Sequence, residues 1–220
     1  MIIQDMGKQL ACPTGAIAPQ VGDIMNKSNI DMINATLSKI PLSGVKRLLE
    51  IGHGNGKHIS QLLDQYPNLN YEGVEISAEM YNESFENNQK FIDLDRAFFR
   101  LYEGDILPYA NHSFDSILSI NTIYYWKKPI SYLNEIARVL SLSGQLHIAF
   151  IHKQTTQNQL FLGHDFHHFT HDEFVNLASQ ADFKVSNYTL KKEVATNKIG
   201  KRVNRFYGIY SLIKYKNNER

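Results

Sequence analysis

A chain of 220 residues, 43% hydrophobic and 20% charged, is long enough for one domain with a full core and a small appendage. Its formal net charge of +1 supplies no broad attraction for nucleic acid or an anionic bilayer. The single cysteine, Cys12, excludes an intrachain disulfide and suits a reducing compartment.

From Met1 to Pro19 no basic start precedes a long apolar run, so no signal peptide is read there. No stretch approaches the ~20 apolar residues of a bilayer span. A soluble, cytoplasmic protein without a membrane partner is expected, as monomer or homodimer. Residues 1–20 carry Pro13, Gly15 and Pro19 without periodicity and are expected to form a loose tail. Between Val21 and Ile40, Ile30, Ile33, Leu37 and Ile40 fall at helical spacing, closed by Pro41 and Gly44. This divides the chain into a tail and helical cap over 1–43 and a main domain over 44–220.

Beyond Gly44, strand-like segments alternate with amphipathic ones. The strand candidates are Arg47–Ile51, Tyr71–Ile76, Phe98–Tyr102, Phe114–Ile120 and Gln145–Ile151. Helical stripes run through Ile59, Leu62, Leu63 and Tyr66, then Ile130, Leu133, Ala137 and Leu140, then Phe174, Leu177, Ala178 and Ala181. Thr170 and Glu173 open the last stripe in capping-box spacing. Such alternation predicts right-handed crossovers and a parallel sheet covered on both faces, an α/β three-layer sandwich. Phe183–Val194 and Val203–Tyr215 flank Asn197–Lys201 as a terminal hairpin, which would reverse the last strand.

The sharpest local signal is Leu48-Leu49-Glu50-Ile51-Gly52-His53-Gly54-Asn55-Gly56. It lies where an apolar strand meets an amphipathic helix. Glycines there let the backbone bend sharply and approach a ligand. Lys57 stands where a dinucleotide fingerprint wants its third glycine, which argues against a nicotinamide or flavin dinucleotide. Glu75 ends the second strand, 19 residues beyond Gly56, where a carboxylate accepts ribose hydroxyls. Asp105, in Gly104-Asp105-Ile106, is placed to receive a proton from an exocyclic adenine amine. Glu50 would suit a ligand's ammonium group or order the loop. Taken singly, the loop could be a bare turn, Glu75 a solvent-facing strand end and Asp105 a turn residue.

Leu49–Gly56, Gly73-Val74-Glu75-Ile76-Ser77, Gly104-Asp105-Ile106, Ser113-Phe114-Asp115 and Arg138–Gln145 together resemble the successive motifs of class I, Rossmann-like S-adenosylmethionine-dependent methyltransferases. The resemblance covers roughly 44–215 and points to the small-molecule (type 11/25-like) branch. It implies seven strands in the order 3-2-1-4-5-7-6 with the last antiparallel. It implies S-adenosylmethionine as cofactor and S-adenosylhomocysteine as its product. Glu50, Gly52, His53, Gly54 and Gly56 would hold the methionine portion, Glu75 the ribose and Asp105 the adenine amine, with Ile76, Gly104, Ile106 and Asn121 among the contacts. His53 in the loop and Ser-Leu-Ser-Gly at 141–144 depart from the commonest family pattern and leave the subfamily open.

The acceptor end is less sharply written. Asn121-Thr122-Ile123-Tyr124-Tyr125-Trp126 follows the fourth strand without the prolines of amide- or base-nitrogen methyltransferases. Cys12 lies far from every motif, which disfavours base-carbon methylation through a cysteine. Tyr124, Tyr125 and Trp126 are either a substrate wall or ordinary packing. Met25 and Asn26 resemble a segment that covers the cofactor in related small-molecule enzymes; a plain helix start is the other reading. His164, His167, His168 and His171 could be loop residues, polar contacts or metal ligands; lacking an i, i+4 pair on an established helical face, and cysteine partners, they predict no metal. A base is needed only for a protonated acceptor, with His167 or His168 the first candidates and Tyr124 the next. The expected partner is a small molecule. RNA or protein methylation on the same fold, a nicotinamide-dependent oxidoreductase and a non-catalytic cofactor-binding protein are the alternatives.

Overall fold

Apolar strands that are buried on both faces need cover on both, and here two cores supply it. The structure, a computed structural model, describes residues 3–156, 167–196 and 202–215. Helices α1 (Ile3–Ala11) and α2 (Ala18–Leu37) precede β1 (Arg47–Ile51), α3 (Ile59–Gln65) and β2 (Asn70–Glu75). Then come α4 (Ala78–Asn87), α5 (Gln89–Asp93), β3 (Ala97–Leu101), β4 (Phe114–Ile120), α6 (Pro129–Val139) and β5 (Leu140–Ile151). The chain continues through α7 (Lys153–Thr156), α8 (His171–Gln180), β6 (Phe183–Thr196) and β7 (Arg202–Lys214).

The strands form one seven-stranded sheet in the order β3-β2-β1-β4-β5-β7-β6. Pairing is parallel from β3 through β5, and β7 runs antiparallel to both β5 and β6. Leu49 and Ile51 face a core closed by α6 and α8. Their neighbour Leu48 faces the opposite core, with Met32 and Ile33 of α2 and Ile59, Leu62 and Leu63 of α3. Period-two alternation along β1 thus feeds both layers. The α8 capping box forms as its spacing predicts: Glu173 N–H donates to Thr170 Oγ1 (3.2 Å) and Thr170 N–H to Glu173 Oε2 (2.8 Å).

Three elements differ from the sequence reading. Residues 3–11, expected as loose tail, are helical; Leu10 is buried and the segment is pinned to α4, because Gly15 N–H donates to Glu79 Oε1 (2.6 Å). The second helix starts at Ala18, since Pro19 occupies the first turn, where its missing N–H is harmless. β5 starts at Leu140 because α6 runs straight into it. Leu140 pairs with Phe114, and a register irregularity before Ser116 absorbs the extra residues. The expected hairpin turn, Asn197–Lys201, lies outside the described residues.

Candidate active site

The carboxyl ends of β1, β2 and β4 open onto one cavity of about 310 Å³. It sits where connections from adjacent β1 and β4 lead to opposite flanks of the sheet, the usual ligand crevice of an open parallel fold. After β1 the backbone enters the left-handed region three times, with φ of 73° at Gly52, 60° at Gly54 and 64° at Gly56. A Cβ on Gly52 would lie 2.5 Å from Thr122 Cγ2, whereas nothing stands within 4 Å of a Cβ on Gly54. Gly54 therefore offers bare backbone to the cavity.

Glu75, at the end of β2, is buried and accepts three backbone N–H bonds. Gly54 donates to Oε2 at 3.0 Å, and Ile76 and Ser77 donate to Oε1 at 2.8 and 3.1 Å. Of roughly four acceptor directions on a carboxylate, one remains for a ligand. Glu50 accepts on a single oxygen, Oε2, from Tyr71 OH (2.8 Å) and His58 Nε2 (2.9 Å). Burial alone would raise its carboxyl, yet the His58 ring and the Tyr71 hydroxyl carry it below the usual range. Glu50 is thus a charge held in the cavity wall. Asp105 is exposed at the rim, in the loop after β3, where Gly104 has φ 92°.

His53 shows why the loop tolerates its odd residue. Its Nδ1 lies 2.8 Å from Gly54 O, and its ring stands edge-on to Phe99 at 5.1 Å. The ring covers β2 at Gly73, where a Cβ would fall 2.4 Å from His53 Cδ2. Burial holds this imidazole neutral, against the pull of Glu75 and Glu50. Asp23 of α2 then fastens the loop from outside, accepting from Asn55 Nδ2 (3.1 Å) and pairing with Lys57.

Helix α2 carries Met25, Asn26, Ser28 and Asn29 into the cavity wall, and α1 with its following turn adds Leu10, Ala11 and Pro13. Asn121, just past β4, has φ 57°, a conformation asparagine tolerates. Its Nδ2 donates to Asn29 Oδ1 (3.0 Å) and its Oδ1 accepts from Tyr124 OH (3.0 Å). Ile151 N–H donates to the same tyrosine oxygen. Burial drives the Tyr124 hydroxyl well above the usual tyrosine range, so it stays protonated. Facing it at 5.2 Å between ring centroids is His168, whose two nitrogens are buried without a hydrogen-bond partner among the described residues. Burial, then Lys153 and His167, hold His168 below the ordinary imidazole value.

Residues 49–148 match the family described as "Methyltransferase domain". That segment is thus a methyltransferase domain, and the sheet around it has the fold of S-adenosylmethionine-dependent methyltransferases. A phthiotriol/phenolphthiotriol dimycocerosates methyltransferase of Mycobacterium leprae is 28% identical over 134 residues, covering 61% of this chain and 48% of the relative. A fatty-acid O-methyltransferase of Mycolicibacterium smegmatis is 27% identical over 134 residues, covering 60% and 46%. The chain spans about half the length of these curated relatives. An S-adenosylmethionine-dependent methyltransferase structure from Aquifex aeolicus superposes with TM-score 0.65 at 18% identity, covering 96% of this chain and 98% of that one. That likeness shows the fold.

Within this methyltransferase domain the cavity brings together Glu50, Gly52, His53, Gly54, Glu75, Ile76, Gly104, Asp105 and Asn121 with Met25, Asn26, Tyr124, Tyr125, Trp126 and His168. Gly56, Ile106 and His167 do not line it. Gly56 is turned to α4, its carbonyl accepting from Asn88 Nδ2 (3.0 Å); Ile106 is 74% exposed; His167 faces solvent. His164 lies outside the described residues. Among the described residues no cluster of three or more His, Cys, Asp or Glu is arranged for a metal, and no helix is long and apolar enough to cross a membrane. The sequence reading missed α1 and Arg205. Arg205 had a signal: in β7 it falls in phase with buried Tyr207 and Ile209, an inward position for a charged side chain.

Proposed function

We propose that this chain transfers a methyl group from S-adenosylmethionine to a small-molecule acceptor by in-line displacement. One observation carries the reading: a single cavity has the glycine loop, Glu50, Glu75 and Asp105 on one side and, on the other, an aromatic wall with an imidazole that has no hydrogen-bond partner among the described residues. The residues fit the cofactor. Gly54 leaves a gap no side chain fills, Glu75 keeps an acceptor direction for a ribose hydroxyl, and Glu50 presents a buried negative charge for an ammonium group. Bound there, S-adenosylmethionine would supply a sulfonium-activated methyl group.

The protein's own part is placement. Tyr124, Tyr125 and Trp126 wall the acceptor, and excluding water with alignment contributes up to ~7–11 kcal/mol in favourable cases. For a hydroxyl acceptor, His168 takes the proton as the acceptor oxygen gains the methyl group, since burial keeps it neutral near pH 7 and its nitrogens have no hydrogen-bond partner among the described residues. Tyr124, fully engaged and protonated, positions. The net charge of +1 favours a small acceptor over a nucleic acid. Residues 1–43 are read as a cap, and a lone thiol, Cys12, supports a reducing, cytoplasmic setting.

The test pairs S-adenosylmethionine binding by calorimetry with methyl transfer to a panel of apolar alcohols, phenols and acids. Binding with turnover on at least one small acceptor is expected. Tighter binding of NADH, or turnover only on RNA or protein, would overturn the reading.

A further inference from the structure

The cavity is electrically divided. Its acidic lining residues, Glu50, Glu75, Glu103 and Asp105, all sit toward β1–β3, the half assigned above to the cofactor. Toward the acceptor half stand two cationic residues, Lys127 after Trp126 and Arg205 on β7. Lys127 is exposed at the mouth, whereas the Arg205 side chain is 5% exposed.

Arg205 is paired but not saturated. Its Nε donates to Glu193, the residue opposite it on β6. Nη2 donates to Ser28 O, and Nη1 reaches Ser28 Oγ at 3.3 Å. These bonds use three of the five N–H groups of a guanidinium. The other two have no acceptor among the described residues, and Arg205 is one of the residues that line the cavity. Glu193 does not line it. A buried ion pair stabilises a fold weakly once desolvation is counted, so a purely structural reason for an arginine in a ligand wall is thin. Around it the wall is apolar, with Ile33, Ile151, Ala195 and Val203.

We propose that Arg205, assisted by Lys127 at the mouth, recognises a carboxylate on an otherwise apolar acceptor, and that Glu193 is the resident counter-ion with which that carboxylate shares the guanidinium. The inference rests on the acceptor assignment above and names the substrate class. Charge-assisted hydrogen bonds to a planar fork select carboxylates over their neutral isosteres.

The experiment measures binding of decanoate and decanamide to the protein loaded with S-adenosylhomocysteine, by calorimetry at fixed salt. Wild type is expected to bind the acid about tenfold or more tighter than the amide. Arg205→Gln should bring the two to parity. Glu193→Gln should tighten the acid and leave the amide unchanged, because it removes a competitor for the same N–H groups. Equal wild-type affinities would overturn the proposal, and that arm needs no variant to fold. So would Arg205→Gln and Glu193→Gln weakening acid and amide alike, the signature of a clamp that only ties the hairpin to α2. S-adenosylhomocysteine binding is read first in the same cell. Its failure sinks the methyl-transfer reading, whereas its success without acid preference sinks only this one.

Discussion

Removing the Glu75 carboxylate separates what the protein needs for itself from what it offers a ligand. In Glu75→Ala three backbone donors, on Gly54, Ile76 and Ser77, lose their acceptor. With water able to enter from the cavity, a loss of about 2–4 kcal/mol follows. A chain of 220 residues unfolds with an entropy of about 0.46 kcal/mol per kelvin, so the unliganded melting temperature should fall by ~4–9 °C. S-adenosylhomocysteine at 100 times its Kd adds ~2.7 kcal/mol to wild type, a rise of ~6 °C by the same entropy. In Glu75→Ala that rise should vanish at the same ligand concentration. Glu75→Gln is the informative partner. Its carbonyl can keep Ile76 and Ser77, but its amide would face the Gly54 N–H donor to donor, so it should melt between wild type and alanine and still lose most of the ligand rise. Scanning calorimetry of the three proteins with and without ligand decides. A full ligand rise in Glu75→Ala, or none in wild type with either S-adenosylmethionine or S-adenosylhomocysteine, refutes the reasoning.

Three further outcomes are expected. Gly73→Ala should destabilise by about 1–3 kcal/mol through overpacking against the His53 ring, and adding His53→Ala should recover much of it, so that urea unfolding shows a non-additive cycle; additive losses would mean the ring is not what fills that space. His147, fully buried and held to about 4 by burial, is neutral in the fold while the unfolded imidazole, near 6.5, protonates first. Stability should therefore drop by roughly 3 kcal/mol between pH 6.5 and 4 on this account and not change above 7. His147→Gln, which keeps a polar partner for Ser211 Oγ, should flatten that slope in denaturant titrations; an unchanged slope would acquit His147. His168→Gln should lower kcat on a hydroxyl acceptor by about 10²–10⁴-fold with S-adenosylhomocysteine affinity intact. In wild type kcat/KM should decline as the pH falls below the ordinary imidazole range, because burial delays that protonation; a variant as active as wild type would remove His168 from the chemistry.

How much of this was legible in the sequence follows from the separation of the residues involved. The β1 strand, the glycine loop and Glu75 are written within 29 residues, and strand–turn–helix periodicity alone places them at one sheet edge. The terminal hairpin was legible for the same reason, since its strands pair with each other. What was not legible depends on register between distant elements. Arg205 meets Ser28 across 177 residues, and Asn121 meets Asn29 across 92. No local pattern encodes such meetings, although the inward phase of Arg205 on β7 hinted at one of them. The N-terminal helix was hidden because Pro13 and Gly15 suggested irregular chain, and these two in fact shape the turn that brings Ser77 Oγ to Pro13 O and Glu79 to Gly15 N–H. His53 joins the two kinds of information. It departs from the family's loop pattern, and only the absence of a side chain at Gly73, on the next strand, makes room for it. A chain with histidine in the loop must therefore hold a very small residue opposite it on β2, and the two positions should be substituted together or not at all.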